Sequence, residues 1–185
     1  MLLKMLRSSL AVFFIFAMAN GASASERYLL NAGDVLDISV WNEDALQKQV
    51  SILPDGMIAF PLAGELMAEG KSVTQLQATL KEKLKKYLSD PVVTVSVANV
   101  SGNTVHIMGK VLQPGAFVMT KNMDVIQALS LAGGLSPYAE ENNIIVLRRE
   151  GNKEKVLAVH YADIKKGKDL NTNIILNSGD VIVIP

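Results

Sequence analysis

The sequence predicts an α+β protein made of two small β-grasp-like domains, each a mixed sheet with one helix packed across it. Two observations predict this fold class. Most segments are short runs of alternating apolar and polar residues joined by tight turns, which is typical of strands. Only two segments have the three- and four-residue apolar spacing of an amphipathic helix. A doubly wound parallel sheet would need more helices and longer strands, so one helix on each small sheet fits better.

The first 24 residues have the composition of a cleavable secretory signal peptide. Lys4 and Arg7 provide a positively charged start, residues 10–19 are all apolar, and Ala22-Ser23-Ala24 supplies the small residues that a signal peptidase recognises. The apolar run is too short to span a bilayer. Cleavage after Ala24 is therefore favoured over an uncleaved N-terminal membrane anchor.

The composition excludes several classes of site. The chain of 185 residues has no cysteine, which rules out disulfides, thiolate metal sites, a cysteine nucleophile and a lipid-bearing cysteine after the leader. Two of the 18 basic residues lie in the leader, so the remaining 161 residues carry 16 basic and 18 acidic side chains. This near balance gives no electrostatic basis for binding nucleic acid. A chain of this length forms one domain or two small ones.

The first domain, residues 25–100, begins with a turn and a strand that has one buried face. Asn31-Ala32-Gly33-Asp34 is a turn sequence, and apolar residues then alternate with polar ones from Val35 to Trp41. Trp41 falls on the polar face, opposite Ile38. It is therefore a candidate core or subunit-interface residue, because Trp is enriched at interfaces, or else a candidate aromatic platform for a sugar.

Three further short strands are predicted before the first helix, over residues 49–53, 57–60 and 64–69. Asp55-Gly56 tolerates positive φ and predicts a tight hairpin between the first two of these strands. Pro61 prevents the second strand from continuing as a central strand, because proline cannot donate a ladder hydrogen bond.

An amphipathic helix follows, with Ser72 as its N-cap and Gln75 completing a capping box. Its apolar residues recur at three- and four-residue steps, and Asp90-Pro91 ends it. Residues 92–97 then form a closing strand. Four lysines of the helix predict a solvated face, with a polyanion-binding patch as the alternative. These are Lys81, Lys83, Lys85 and Lys86.

The second domain, residues 101–185, repeats this order of elements. Asn122 or Thr120 is predicted to cap its helix, and Gly133-Gly134 to end it, because glycine accepts the left-handed conformation past a helix C-terminus. The predicted turns are Gln113-Pro114-Gly115 and Gly151-Asn152. The predicted strands cover residues 104–110, 116–119, 144–147, 155–161 and 181–184.

One internal repeat is visible. Asn31-Ala32-Gly33-Asp34-Val35 near the start of the chain matches Asn177-Ser178-Gly179-Asp180-Val181 near its end, and each leads into an apolar strand. The simple interpretation is two uses of one turn-to-strand device. A stronger hypothesis places both strands in one sheet, so that the last strand, Val181–Ile184, returns to the first domain.

No catalytic, cofactor-binding or metal site is predicted. His106 and His160 lie in separate strand patterns without metal-ligand spacing, although a pair meeting in space stays open. Gly70-Lys71-Ser72 ends like a phosphate-binding loop, but five residues instead of four separate its two glycines, Gly64 and Gly70. Glu140-Glu141 is a weak candidate for a glycosidase acid pair, because adjacent strand residues point apart.

The order of the segments resembles the bacterial polysaccharide biosynthesis/export family, the Wza-like outer-membrane export proteins. The segments similar to its export domain are residues 30–41, Asp55-Gly56 with Phe60-Pro61-Leu62, the Gly64 strand, the helix after Ser72, and Asp90-Pro91-Val92-Val93. Those similar to the soluble-ligand-binding β-grasp domain that follows it are Gly109-Lys110-Val111, Pro114-Gly115, residues 128–135 and the stretch from Gly179 to Pro185. The resemblance covers nearly all of the chain after the leader.

The resemblance implies a non-catalytic component of a conduit for capsular polysaccharide or exopolysaccharide, in the periplasm and associated with the outer membrane. It implies a homo-oligomeric ring, contact with the polysaccharide, and two protein partners: an outer-membrane β-barrel and an inner-membrane polysaccharide co-polymerase. Larger family members continue into an amphipathic pore-lining helix, so we expect a short form that relies on a separate barrel. Two alternatives stay open, a monomeric periplasmic module that binds an oligosaccharide or another soluble ligand, and a carbohydrate-active enzyme.

Overall fold

The computed structural model describes residues 27–151 and 153–185. The leader predicted over residues 1–24, and Asn152 of the predicted Gly151-Asn152 turn, lie outside the described residues. Strands and a few helices form two parts with separate cores, which confirms the α+β class. The buried apolar residues of the first core lie between Leu30 and Val95, and those of the second between Val105 and Ile184.

The first domain contains a three-stranded antiparallel sheet, a separate two-stranded hairpin and one long helix. In chain order its elements are β1 (Val35–Val40), β2 (Lys48–Ser51), β3 (Met57–Phe60), β4 (Gly64–Met67), α1 (Val73–Leu84) and β5 (Val93–Asn99). The sheet order is β2-β1-β5, and β3 pairs with β4. Ser72 and Gln75 form the predicted capping box at the start of α1. The apolar stripe of α1, at Leu76, Leu80 and Leu84, is fully buried in this core.

The Asp55-Gly56 turn forms, with the Gly56 N–H donating to the Leu53 carbonyl at 2.8 Å. The predicted hairpin forms only next to the turn, where the Leu53 N–H donates to the Met57 carbonyl at 2.9 Å. It does not continue as a pair of strands, because β2 pairs with β1 while β3 pairs with β4. The reason lies at Ile52, whose N–H donates to the Asp34 carbonyl and whose carbonyl accepts from the Gly33 N–H. With both groups occupied, the end of β2 is held against the start of β1, and the turn joins two sheets.

The second domain contains one mixed five-stranded sheet. In chain order its elements are β6 (Thr104–Gly109), β7 (Gly115–Val118), α2 (Val125–Leu131), β8 (Ile144–Glu150), β9 (Lys153–Val159), a one-turn helix α3 (Tyr161–Ile164) and β10 (Val181–Ile184). The sheet order is β7-β6-β10-β8-β9, with β10 parallel to β6 and antiparallel to β8. Gly133 and Gly134 follow α2 with φ of +77° and +92°, the conformation predicted for a helix end.

Two predictions for this domain are wrong. The last strand does not return to the first sheet, because β10 lies in the middle of the second sheet, where β6 and β8 occupy both of its edges. The N-cap of α2 is Asp124 rather than Asn122 or Thr120. The Asp124 carboxylate accepts from the Gln127 N–H at 2.8 Å, and the Gln127 side chain accepts from the Asp124 N–H at 3.2 Å. This reciprocal capping box satisfies two donors that a neutral cap two residues earlier would leave free.

Candidate functional site in the cleft between the domains

The two Asn-x-Gly-Asp turns have the same backbone structure. The Asn31 N–H donates to the Asp34 carboxylate at 2.9 Å, and the Asn177 N–H donates to the Asp180 carboxylate at 2.8 Å. In each turn the aspartate N–H also donates to the asparagine carbonyl, at 3.1 Å. Both aspartates are fully buried. The intervening glycines have φ of +93° and +83°, a conformation that glycine adopts without strain.

The equivalence extends to the residues before each turn. Leu29 forms an isolated bridge with Ser72, the N-cap of α1, and Ile175 forms one with Asp124, the N-cap of α2. The next residue along, Leu30 or Leu176, is buried and donates its N–H to the carbonyl of the residue before that N-cap. Each domain therefore contains one unit that consists of a short extended segment, the Asn-x-Gly-Asp turn and a strand. The extended segment of each unit is bonded to the N-terminal end of a capped helix. The unit precedes α1 in the first domain and follows α2 in the second.

The partners of the two buried carboxylates differ. Asp34 accepts from the Tyr28 hydroxyl at 2.6 Å and from the Gly102 N–H at 3.0 Å. Asp180 instead accepts from the guanidinium of Arg148, from Nη2 at 2.7 Å and from Nε at 3.0 Å. The first carboxylate is thus held by neutral donors, and the second by a bidentate ion pair, which is the stronger geometry.

Gly102 joins the two turns. It lies between β5 and β6, donates its N–H to Asp34, and accepts a hydrogen bond from the Ser178 hydroxyl at 2.8 Å. A Cβ at this position would overlap the carbonyl of Ala32. The connection between the domains is therefore a close backbone contact that glycine permits, and it sets the two turns beside each other.

A cleft of about 580 Å³ opens between the two turns. Leu29 and Ile175, the equivalent residues of the two units, both line it and are about half exposed. Among the described residues that line the cleft, Arg27 and Lys121 are cations and none is a carboxylate. Four asparagines and a serine supply most of its polar groups; these are Asn31, Asn103, Asn122, Asn177 and Ser178.

Two partly buried groups, Tyr28 in the cleft lining and Arg148 beside Asp180, have raised pKa values. Burial, followed by the hydrogen bond to Asp34, raises the pKa of Tyr28 well above that of an ordinary tyrosine, so its hydroxyl stays a donor. The hydrogen bond to Asp180 raises the pKa of Arg148 further. Tyr28 also accepts from the Asn31 side-chain amide at 3.1 Å, which fixes the orientation of that cleft residue.

A second polar surface covers the outer face of the first sheet. Trp41 lies at its end with 81% of its surface exposed, and its N–H donates to the Val92 carbonyl, which continues the ladder past β1. This exposure rules out packing in the core of the chain, so the interface and sugar interpretations of Trp41 stay predictions. The adjacent polar face forms a depression of about 300 Å³, whose lining includes Asp37, Ser39, Gln49, Thr94 and Ser96.

The remaining sequence candidates lie apart from the cleft. His106 is exposed on β6, while His160 follows β9 and bonds to Asp169. Glu141 forms an ion pair with Lys165 at 2.6 Å. Within residues 27–151 and 153–185, no group of three or more His, Asp or Glu side chains is close enough to hold a metal ion.

The helix lysines are partly engaged within the chain. Lys81 pairs with Asp90 at 3.1 Å, and Lys85 pairs with Glu82 at 2.6 Å. Lys83 donates to a backbone carbonyl, that of Glu65. These contacts agree with a solvated, locally paired face and reduce the free positive charge available to a polyanion.

The sequence interpretation missed the cleft, because Lys121 and Ile175 belong to no motif and Asn122 was interpreted only as a helix cap. One feature could have indicated it. The internal repeat extends two residues upstream of each turn, as Leu29-Leu30 and Ile175-Leu176, which places two equivalent apolar entries next to a shared linker.

No helix of the described residues is long and apolar enough to cross a membrane. Two protein families match the chain. The family described as polysaccharide biosynthesis/export protein matches residues 22–98, and the SLBB domain matches residues 103–184. The two matches are consecutive and include both turns of the repeat.

Similar proteins include three with descriptive names. The EPS I polysaccharide export outer membrane protein EpsA of Ralstonia nicotianae is 28% identical over 84% of this chain and 46% of its own length. The polysialic acid transport protein KpsD of Escherichia coli is 28% identical over 85% of this chain and 28% of its own length. The capsule polysaccharide export outer membrane protein CtrA of Neisseria meningitidis is 27% identical over 84% of this chain and 43% of its own length. The chain thus spans less than half the length of each of these relatives.

Proposed function

The chain belongs to the polysaccharide biosynthesis/export family, with an export domain followed by one SLBB domain, and on that basis we propose that it is a non-catalytic component of a conduit that exports a capsular polysaccharide or exopolysaccharide. The observation that carries this proposal is the order of the two domains, which extends over residues 22–184 with a gap of only four residues. The three relatives described above, which are named as export or transport proteins, support the same role.

In this proposal, copies of the chain associate into a ring around a moving glycan. A ring uses heterologous contacts, in which one surface patch meets a different patch on the neighbouring subunit. The hydrogen bonds of Gly102 to Asp34 and Ser178 support this role, because they hold the two domains in one arrangement. Every subunit then presents the same two surfaces to its neighbours. The glycan would move through weak, repeated polar contacts, since tight binding at any one point would stall it.

The proposed location is the periplasm, in association with the outer membrane, after removal of the leader predicted over residues 1–24. The proposed partners are the glycan, further copies of the chain, an outer-membrane β-barrel and an inner-membrane polysaccharide co-polymerase. The outward face at Trp41 is a candidate contact for one of them, because a large exposed aromatic side chain provides contact area at little cost in entropy.

Deletion of the gene tests this function. In a strain that encodes no second copy, deletion is expected to abolish the surface glycan or the secreted glycan, and a plasmid copy is expected to restore it. The measurement is the amount of glycan outside the cell, with the intracellular and periplasmic glycan as the control for synthesis. Normal secretion by the deletion strain would contradict the proposal.

The cleft favours a second candidate function, that of a monomeric periplasmic module binding an oligosaccharide or another soluble ligand, because concave sites between domains are frequent ligand sites. Sedimentation of the mature protein separates the two functions. The conduit predicts a large oligomer. The binding module predicts a protein that stays monomeric at every concentration and that binds one ligand per chain at saturation.

A further inference from the structure

We infer that the cleft between the domains binds a sugar residue that carries an anionic substituent. This inference rests on the proposed handling of a glycan and adds the class of sugar and the site that contacts it. Its first support is charge. The described lining of the cleft contains two cations, Arg27 and Lys121, and no carboxylate, although the chain as a whole has equal numbers of basic and acidic residues.

The hydrogen-bonding groups of the cleft suit a polyhydroxylated ligand. Asn122 and Asn177 have no side-chain hydrogen bond to any described residue, so their amides can each donate and accept. Asn31 and Asn103 use their amide nitrogens within the chain, the latter on the Met119 carbonyl at 2.6 Å, which leaves their carbonyl oxygens as acceptors. Sugar hydroxyls can satisfy both kinds of group.

The walls of the cleft are also pre-organised. Asp34 and Asp180 hold the two turns from behind, and Gly102 holds them next to each other. Leu29 and Ile175 then present apolar surface from equivalent positions on the two sides, where the C–H face of a sugar ring could pack. A site whose groups are already ordered loses less conformational entropy on binding.

Two other surfaces fit an anionic sugar less well. The depression on the outer face of the first sheet is lined by one carboxylate, Asp37, and one cation, Lys48, so it lacks the excess of positive charge that the cleft has. The lysines of α1 lie on a convex helix, where Lys81 and Lys85 already pair with carboxylates of the chain. A second copy of the chain is the other occupant to be considered for the cleft, and the experiment below distinguishes it.

The test is a titration of the mature chain followed by amide nuclear magnetic resonance. The probes are a trigalacturonate, a sulfated maltotriose and unmodified maltotriose, so that carboxylate, sulfate and neutral sugars are compared. Both anionic probes are expected to shift the side-chain amides of Asn122 and Asn177 at about millimolar concentration, because export requires weak contacts. At equal concentration, maltotriose is expected to produce chemical-shift changes at least about fivefold smaller. This ratio corresponds to the loss of one exposed ion pair between the ligand and the cleft.

Two exposed cleft positions provide variants that leave the fold intact. Lys121→Gln removes a cation and is expected to weaken the anionic probes about fivefold. Asn122→Asp adds a negative charge with almost no change of shape and is expected to abolish their binding. The matched controls lie outside the cleft lining: Lys86→Gln makes the same charge change as the first variant, and Asn171→Asp the same change as the second. Neither control is expected to alter binding.

Four outcomes would overturn the inference. They are equal shifts with the neutral probe, equal losses in the Lys86→Gln control, no shift of cleft residues with either anionic probe, and cleft shifts that follow protein concentration alone. The last would assign the cleft to a second copy. The fate of the export function is read separately from the deletion strain. Lost secretion with an unresponsive cleft rejects only this inference, and normal secretion with a responsive cleft rejects only the export function.

Discussion

The two Asn-x-Gly-Asp turns hold equivalent positions in the two domains, yet their buried aspartates are stabilised in different ways. Asp34 is surrounded by neutral donors, one of which belongs to the linker between the domains. Asp180 is paired with Arg148, which comes from β8 of its own sheet. The first carboxylate therefore couples its domain to the neighbouring domain, whereas the second ties the turn before β10 to β8 of the same domain.

This difference distinguishes the hydrogen bonds formed within the turn sequence from those contributed by residues outside the turn. The bond from the asparagine N–H to the aspartate carboxylate spans three residues and is the same in both turns. Asp34 also accepts from Tyr28, six positions away, and each carboxylate accepts from a distant residue, Gly102 for Asp34 and Arg148 for Asp180, which are 68 and 32 positions away. Local sequence thus specifies the turn, and distant residues specify what the buried charge stabilises.

The largest effect is expected from Asp180→Asn, which leaves the Arg148 guanidinium without its counter-charge at a site where that side chain is only 15% exposed. We expect the free energy of unfolding to fall by about 3 kcal/mol, the lower end of the cost of breaking a buried ion pair. Asp34→Asn is expected to cost about 1.5 kcal/mol, because the new amide oxygen still accepts from neutral donors. Chemical denaturation followed by circular dichroism measures both values.

A double variant provides the control for this contrast. Arg148→Gln combined with Asp180→Asn removes the uncompensated charge and is expected to recover part of the lost stability. Equal losses for Asp34→Asn and Asp180→Asn would show that the two turns are energetically alike, and would contradict the distinction drawn from their partners.

An intermediate effect is expected from Gly102→Ala, which tests the coupling of the first turn to the second. The added methyl group would overlap the Ala32 carbonyl, so the linker must shift, at a cost of about 2 kcal/mol by comparison with overpacked cores. Hydrogen exchange is expected to show lost protection at the backbone amides of position 102 and of Asp34. Gly115→Ala is the matched control, since its added methyl group meets no atom within 4 Å. Unchanged hydrogen exchange in Gly102→Ala would mean that Gly102 does not couple the first turn to the second.

The smallest effect is expected from Tyr28→Phe, which removes the hydrogen bond that the Tyr28 hydroxyl donates to Asp34 and the one that it accepts from Asn31. Because the Tyr28 side chain is only partly buried, we expect a cost of about 1 kcal/mol at neutral pH. Folding raises the pKa of Tyr28, so it favours the protonated hydroxyl. The stability that this gives is fully present below the pKa of an unfolded tyrosine, about 10, and is lost as the pH rises further. The wild-type protein should therefore lose more stability than Tyr28→Phe when the pH is raised above about 10.

Denaturation at a series of alkaline pH values measures this slope. Tyr87→Phe is the control, because the Tyr87 ring is 63% exposed and forms no side-chain hydrogen bond with described residues. Identical slopes for the wild-type protein and Tyr28→Phe would mean that the hydroxyl contributes nothing to the first turn.

Local patterns in the sequence predicted most of the secondary structure. The capping box at Ser72 and Gln75, the Gly133-Gly134 helix end and the buried alternation of β1 are all present. The errors occurred where a local pattern had competitors. Three residues with side chains suited to an N-cap precede α2, namely Thr120, Asn122 and Asp124, and only the reciprocal bonds of Asp124 and Gln127 decide which of them caps it. The Asp55-Gly56 turn formed, but the pairing of Ile52 with Gly33 and Asp34 redirected the strand before it.

The sequence by itself determined the α+β class, the capped helix of the first domain and the repeated turn, because these depend on contacts within a few residues. Only the tertiary structure decided where the last strand pairs, which donors hold each buried aspartate, and that Leu29 and Ile175 face one cleft. Those features join residues far apart in the chain. These long-range pairings depend on the burial of apolar side chains throughout both domains and on the close backbone contact at Gly102. A short stretch of sequence contains neither kind of information.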